Sequence, residues 1–260
     1  MKRAVIVALA AIAALYLAVV AFFAAAQRSF VFPAPRGGRL PRGNLVAGPG
    51  FRALWIAPQP GAAVVAHFHG NGEDLADAGP VIDLLRSIGA GVLAVEYPGY
   101  GLSRADGPPS EEACYRAAAA ALAHLRATLH RGPLILEGQS LGTGVAVEMA
   151  SRGFGDRLIL ISPFTSMADV AAVHFPWLPA RLLVRDRFDS AAKAPRIGMP
   201  VLLVHGDGDE IVSASMSEKL VRRFPRATLR IVAEAGHNDL LAEHAEEVRA
   251  AIAQFVAANR

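Results

Sequence analysis

Three observations predict an α/β fold with a mostly parallel central sheet flanked by helices. Short apolar runs recur along the 260-residue chain, and most are unbroken rather than alternating, as in strands covered on both faces. Longer segments of helical periodicity separate them, which is the βαβ rhythm of a parallel sheet. The composition, 53% hydrophobic and 19% charged, lets one chain of this length bury a single large core.

The N-terminus comes first. After Met1, Lys2 and Arg3, nothing from Ala4 to Ala26 is charged, and that run exceeds the roughly 20 residues needed to cross a hydrocarbon layer. Residues 1–26 are read as one N-terminal transmembrane helix. The competing reading is a cleaved signal peptide, since Ala24-Ala25-Ala26 before Gln27 resembles a cleavage site. The flanking cations leave the orientation open: Lys2 and Arg3 face Arg28, Arg36, Arg39 and Arg42 on the other side. Residues 27–50, rich in Pro, Gly and Arg, read as a linker, with a folded domain over 51–260.

Strands are expected at Ala53–Ile56, Ala63–Phe68, Val92–Glu96, Leu134–Glu137, Leu158–Ile161, Val201–Val204 and Thr228–Val232. One helix should start at Ser110, with Glu111 and Glu112 in the first turn where the helix dipole favours carboxylates. The last should run from Glu243 to Ala258, with Ala245, Val248, Ile252, Phe255 and Val256 on one face. The interval 163–200, with several prolines and large apolar residues, is too long for one crossover helix. It reads as a small helical lid inserted over the strand ends.

Other function classes are disfavoured. Lysine occurs only at 2, 193 and 219, and the arginines are scattered, so no basic stripe suggests nucleic acid. Cys114 stands alone and reads as core filling. His67 and His69 share a strand face, but no further ligand lies close at zinc spacing, and no metal or other cofactor is expected.

In an open α/β sheet, ligands collect beyond the carboxyl ends of the strands. There Gly138-Gln139-Ser140-Leu141-Gly142 matches G-x-S-x-G between an apolar strand and a helical pattern. Glycines on both sides give room for a sharp turn that presents the serine. Such a serine needs a base, and the base a carboxylate, in the order Ser, Asp, His. His237 after the last strand is the candidate base; Asp207 and Asp209 after the strand Val201–Val204 compete as the acid. His69-Gly70-Asn71-Gly72 and the N–H of Leu141 are candidate donors to an oxyanion.

Together, Phe68-His69-Gly70-Asn71-Gly72, Glu96-Tyr97-Pro98-Gly99-Tyr100-Gly101-Leu102-Ser103, Gly138–Gly142, His205-Gly206-Asp207-Gly208-Asp209 and Gly236-His237-Asn238 resemble the α/β-hydrolase superfamily. Within it they look most like the membrane-anchored branch that includes α/β-hydrolase domain-containing proteins 13 and 17. The resemblance runs from about Leu54 to the C-terminus and implies an α/β-hydrolase fold. In the family's His-Gly-x-x-Asp pattern the acid is the last residue, which selects Asp209, and the same matching puts the oxyanion turn on Asn71. Residues 70–74 read Gly-Asn-Gly-Glu-Asp, where the family commonly has Gly-Asn-Ala-Gly-Asn.

The implied activity is hydrolysis of a carboxylic ester or thioester through an acyl-enzyme. Ser140 is the nucleophile, His237 the base and Asp209 its orienting acid, with oxyanion donors at Asn71 and Leu141. His69, Gly70, Tyr97, Gln139, Phe164, Phe175 and Trp177 are expected to border a small-molecule or lipid-like acyl substrate. Rival readings are an acyltransferase or peptidase on the same fold, and a catalytically silent membrane interaction module.

Overall fold

Side chains that alternate between two apolar cores make the strand sequences look unbroken. In the computed structural model, which describes residues 2–35, 41 and 43–257, the strands are β1 (Asn44–Gly48), β2 (Phe51–Ile56), β3 (Val64–Phe68), β4 (Gly91–Glu96), β5 (Leu134–Gln139), β6 (Arg157–Ile161), β7 (Val201–Gly206) and β8 (Ala227–Val232). Arg36, Arg39, Arg42 and Ala258, invoked above, lie outside the described residues. The strands form one sheet in the order β1-β2-β4-β3-β5-β6-β7-β8. β1, β2 and β4 pair antiparallel at one edge, and every pair from β4 to β8 is parallel. On β6, Leu158 and Leu160 join Val145 and Leu203 on one face, while Ile159 and Ile161 join Val204 and Val248 on the other.

The helices are α1 (Lys2–Val31), α2 (Gly79–Ser87), α3 (Glu111–His124), α4 (Leu141–Ser151), α5 (Met167–His174), α6 (Ala180–Leu183), α7 (Ser190–Lys193), α8 (Ser215–Val221) and α9 (Ala245–Ala257). The first face buries Cys114 and Leu122 of α3 with Val145 and Met149 of α4; the second buries Leu84 and Leu85 of α2 with Val248 and Ile252 of α9. Ser110 caps α3, its side chain accepting from the Ala113 N–H at 3.1 Å. Cys114 is buried, which pushes its thiol well up. The interval 163–200 folds into α5, α6 and α7 joined by turns after the carboxyl end of β6.

The expected linker at 27–50 needs correction. α1 continues to Val31 and residues 44–48 form edge strand β1. The helix passes its first internal charge because the polar groups there find partners. Arg28 Nε lies 2.8 Å from Asp186 Oδ2, Gln27 Nε2 donates to Leu183 O at 3.2 Å and Gln27 Oε1 accepts from Arg185 N at 2.8 Å. β1 is short and pairs on one side only, so its sequence carries little pattern. By length and composition α1 can cross a membrane: its most apolar 18 residues have a mean hydropathy of 2.8, and none of that window is buried in the protein.

Candidate active site

Parallel strands put all their carboxyl ends on one side of the sheet, and the segments that leave β3, β5, β7 and β8 meet there. Ser140 follows β5 directly and precedes α4, with φ 50° and ψ −117°. A non-glycine residue in that left-handed region is strained. The neighbours explain the glycines: a Cβ on Gly138 would overlap the Gly142 carbonyl, and one on Gly142 the Phe68 carbonyl of β3. The turn is pinned by the Ser140 N–H, which donates to Ile161 O at 2.9 Å, and by Thr143 N–H, which returns to Ser140 O at 2.9 Å.

His237, in the segment between β8 and α9, lies with Nε2 2.9 Å from Ser140 Oγ and Nδ1 2.6 Å from Asp209 Oδ2. A carboxylate only accepts, so Nδ1 carries the proton and Nε2 of the neutral ring is free to accept from the serine hydroxyl. The Asp209 side chain is fully buried and that of His237 is 10% exposed. Asp209 Oδ1 accepts from the N–H groups of Ile211 (2.9 Å) and Val212 (2.7 Å), and Oδ2 also lies 3.2 Å from His205 Nε2. Burial alone would raise the Asp209 pKa. The hydrogen bonds from His205, His237 and the Val212 amide overcome it and hold the carboxyl far below its ordinary range. Asp207 takes no part in this chain; its Oδ1 accepts from Glu234 N at 2.7 Å.

The turn after β3 closes the other side. A Cβ on Gly70 would stand 3.7 Å from Ser140 Cβ, and Asn71 O accepts from the Tyr100 hydroxyl at 3.0 Å. Asn71 Nδ2 donates to Val31 O, the last residue of α1, at 3.1 Å. Leu141 opens α4, so its N–H is one of the helix's first amides, which have no intrahelical partner, at the positive end of the dipole. Beside the turn a cavity of about 240 Å³ is lined by Phe23, Phe30 and Val31 of α1, by Asn71, and by Met167 and Phe175 of the lid. A larger cleft of about 500 Å³ lies at the opposite, amino ends of β7 and β8, around Pro200 and Ala227.

Of the expected site residues, Ser140, His237, Asp209, Gly70, Asn71 and Leu141 are thus brought together. Gln139 is half-buried beside them, with Nε2 3.5 Å from Glu73 Oε1. Three expected substrate contacts are corrected: His69, Tyr97 and Phe164 are fully buried. His69 Nδ1 donates to Gly70 O at 2.7 Å, its ring lies 4.1 Å from that of Tyr97, and the Tyr97 hydroxyl donates to His69 O at 3.1 Å. These groups brace the turn from behind. Phe175 lines the cavity, whereas Trp177 stands half-exposed against Phe23, with ring centroids 5.7 Å apart. Sequence reasoning missed His205, whose signal was its place four residues before Asp209. It also missed the α1 wall, where Phe23, Gln27, Phe30 and Val31 share one helical face.

Comparison with known proteins places the chain as a whole. Residues 59–189 match the family model described as "Serine aminopeptidase, S33", and residues 180–243 match the α/β-hydrolase fold model. The chain is 37% identical over 174 residues to an uncharacterized protein of Mycobacterium tuberculosis strain H37Rv, covering 66% of this chain and 61% of that protein. It is 35% identical over 203 residues to α/β-hydrolase domain-containing protein 17C of Xenopus tropicalis, covering 75% and 64%. The matched stretch therefore spans less than two thirds of these relatives' length. Among solved structures, a monoacylglycerol lipase of Paleococcus ferrophilus superposes with a TM-score of 0.61 at 22% identity, over 81% of this chain and 99% of that one. An esterase of Pyrococcus furiosus gives 0.63 at 18%, over 85% and 98%. The fold, the family-model match and the resemblance to the 17C proteins agree that this chain belongs to the α/β-hydrolase superfamily, in a branch like that of α/β-hydrolase domain-containing protein 17.

Proposed function

We propose that the protein is a membrane-anchored serine hydrolase that cleaves carboxylic esters or thioesters of apolar acyl groups. One observation carries this reading: His237 bridges Ser140 Oγ at 2.9 Å and Asp209 Oδ2 at 2.6 Å, although the three residues come from distant parts of the chain. As Ser140 Oγ attacks the acyl carbonyl, its proton passes to His237 Nε2, and buried Asp209 stabilises the imidazolium. The carbonyl electron pair becomes an oxyanion facing the amides of Asn71 and Leu141. Collapse of the tetrahedral species breaks the bond to the alcohol or thiol, which leaves with the proton from His237. Water, deprotonated by the same ring, then releases the acid and restores Ser140. The apolar wall around Phe23, Phe30 and Phe175 favours an acyl chain over a polar substrate.

Labelling of the full chain with a fluorophosphonate tests the reading: the probe should react with the native protein and not with Ser140→Ala. Hydrolysis rates against chain length test the substrate class, and a preference for acetyl over octanoyl esters would refute it. A second reading, a peptidase acting on a free amino terminus, draws on the serine aminopeptidase model and on Glu73. The Glu73 carboxyl carbon would lie 3.8 Å from a Cβ on Gly70, near Ser140, close enough to hold an ammonium group. Faster cleavage of aminoacyl anilides than of acyl esters, lost in Glu73→Gln, would favour that alternative.

A further inference from the structure

The outer surface of the lid is apolar where a water-facing surface would be polar. Val173 on α5 is 59% exposed, Trp177 in the following turn 50% and Leu182 on α6 85%. The same segment is fastened to α1. The Tyr16 hydroxyl donates to Trp177 O at 3.0 Å. The Phe23 ring lies 5.3 Å from Phe175 and 5.7 Å from Trp177. Gln27 and Arg28 close the seam through Leu183, Arg185 and Asp186.

The position of Tyr16 gives these contacts a depth. The uncharged run from Ala4 to Ala26 is about 35 Å long at 1.5 Å per residue, a little more than the roughly 30 Å of a bilayer's hydrocarbon core. Tyr16 lies ten residues before Ala26, about 15 Å down the helix axis, which is the thickness of one leaflet. A lid bonded to α1 at that level cannot sit wholly in water if α1 spans the membrane.

We infer that the α5–α6 segment is sunk beside α1 into one leaflet, so that lipid covers Val173, Trp177 and Leu182 and the adjoining cavity opens sideways among the acyl chains. The only occupant continuous with the exposed face of α1 is the bilayer itself. The Trp177 ring itself packs on Phe23, three residues before Ala26 and so only about 5 Å below the end of the uncharged run, near the membrane–water interface where its amphipathic ring is favoured. The charges on the segment are compatible with it: Arg181 is paired with Asp169 at 3.1 Å, and its long stem can keep the guanidinium at headgroup depth. Substrate then enters chain-first from the membrane, passing Phe23, Phe30 and Phe175 before its carbonyl reaches the turn at Asn71. The insertion rests on the reading of α1 as a membrane span, and the entry route on the proposed hydrolysis.

The test uses the full chain reconstituted in phosphatidylcholine vesicles. The sequence has two tryptophans, Trp55 and Trp177, so Trp55→Phe leaves Trp177 as the only tryptophan emitter. Lipids brominated along their acyl chains should quench its fluorescence at least about twofold while aqueous iodide has little effect. Quenching by iodide equal to or greater than that by bromolipid overturns the inference, whether or not the protein is a hydrolase. In a second arm, Leu182→Asp should slow hydrolysis of a vesicle-embedded long-chain ester about tenfold or more by the cost of a buried charge. It should leave hydrolysis of a water-soluble short-chain ester and fluorophosphonate labelling of Ser140 unchanged. Equal rates of the variant and the native chain on the embedded ester overturn the entry route. Failure of the native protein to label refutes instead the hydrolase reading, and the quenching result stands apart from it.

Discussion

Two histidine–carboxylate pairs of nearly equal length lie within and just beyond one sheet, and only one of them adjoins a hydroxyl. His67 on β3 and Glu137 on β5 face each other in register, Nδ1 to Oε2 at 2.5 Å, both wholly buried. His67 Nε2 and Glu137 Oε1 have no hydrogen-bond partner among the described residues. His237 and Asp209 lie 2.6 Å apart beyond the strand ends, every Asp209 oxygen has donors, and the far ring nitrogen of His237 reaches Ser140. The chemistry of the two pairs is alike; their place along the strands is not. Mid-strand, an imidazole is walled in by α2, α9 and neighbouring strands, whereas past the carboxyl ends it has a third partner and a route to solvent. An imidazole beside a carboxylate is therefore no site until a hydroxyl that can give up its proton meets it where solvent also reaches, as His237 is 10% exposed and His67 wholly buried.

The largest expected effect breaks the outer pair at its third partner. Ser140→Ala should lower kcat on a short acyl ester by about 10⁶, the loss seen when a serine nucleophile is removed, with no change in the circular dichroism spectrum. Asp209→Asn should lower it by about 10⁴ by holding His237 in the wrong tautomer, measured on the same ester. Glu137→Gln should do the opposite. It leaves kcat per folded molecule near the native value but destabilises the chain by about 3–5 kcal/mol in urea unfolding, because a buried partner is lost. The double change His67→Leu with Glu137→Met should recover most of that loss. Equal loss of activity in Glu137→Gln and Asp209→Asn would collapse the distinction between the pairs.

The outer pair was legible in the sequence as far as its turns, the choice of Asp209 over Asp207 coming only from the family resemblance, and the inner pair was not. Ser140, Asp209 and His237 sit in glycine-marked turns directly after strands, where the apolar pattern stops and a polar side chain needs a reason. Gly138 and Gly142 announce a close approach of backbones that any side chain would block. His67 and Glu137 lie within unbroken apolar runs, and only the strand order β4-β3-β5 makes them neighbours. That pairing is non-local and has no local signature. For the same reason His69 and Tyr97, each directly after a strand end, look like substrate contacts in the sequence, although the packing of β3 against β4 buries them. The end of α1 has no local signature either, because a charge normally closes an apolar helix and the partner of Arg28 lies 158 residues away.

The smallest effect refines the comparison through His205. Its Nδ1 lies 2.6 Å from Ser217 Oγ, and its Nε2 2.8 Å from Val212 O and 3.2 Å from Asp209 Oδ2. Carbonyl and carboxylate only accept, so Nε2 carries the proton and Nδ1 accepts from Ser217. His205→Leu removes one donor from Asp209 and leaves the tautomer of His237 intact, so kcat/KM should fall only about tenfold, the worth of one hydrogen bond to a charged group. The pH dependence of stability is the sharper readout. Because the folded-state pKa of Asp209 is lowered, its contribution is present above the unfolded value of about 4 and lost as pH falls through the folded one. Without His205 the folded value rises, and acid unfolding should begin at a higher pH than in the native chain. The inner pair has the reverse sign. Burial works against the charge on His67, but Glu137 outweighs it and its pKa is raised. That stabilisation is complete below about pH 6.5 and is lost as pH rises through the raised value. Scans of urea stability against pH should therefore separate the pairs: His205→Leu moves the acid limb through Asp209, and the double change at His67 and Glu137 moves the alkaline limb through His67.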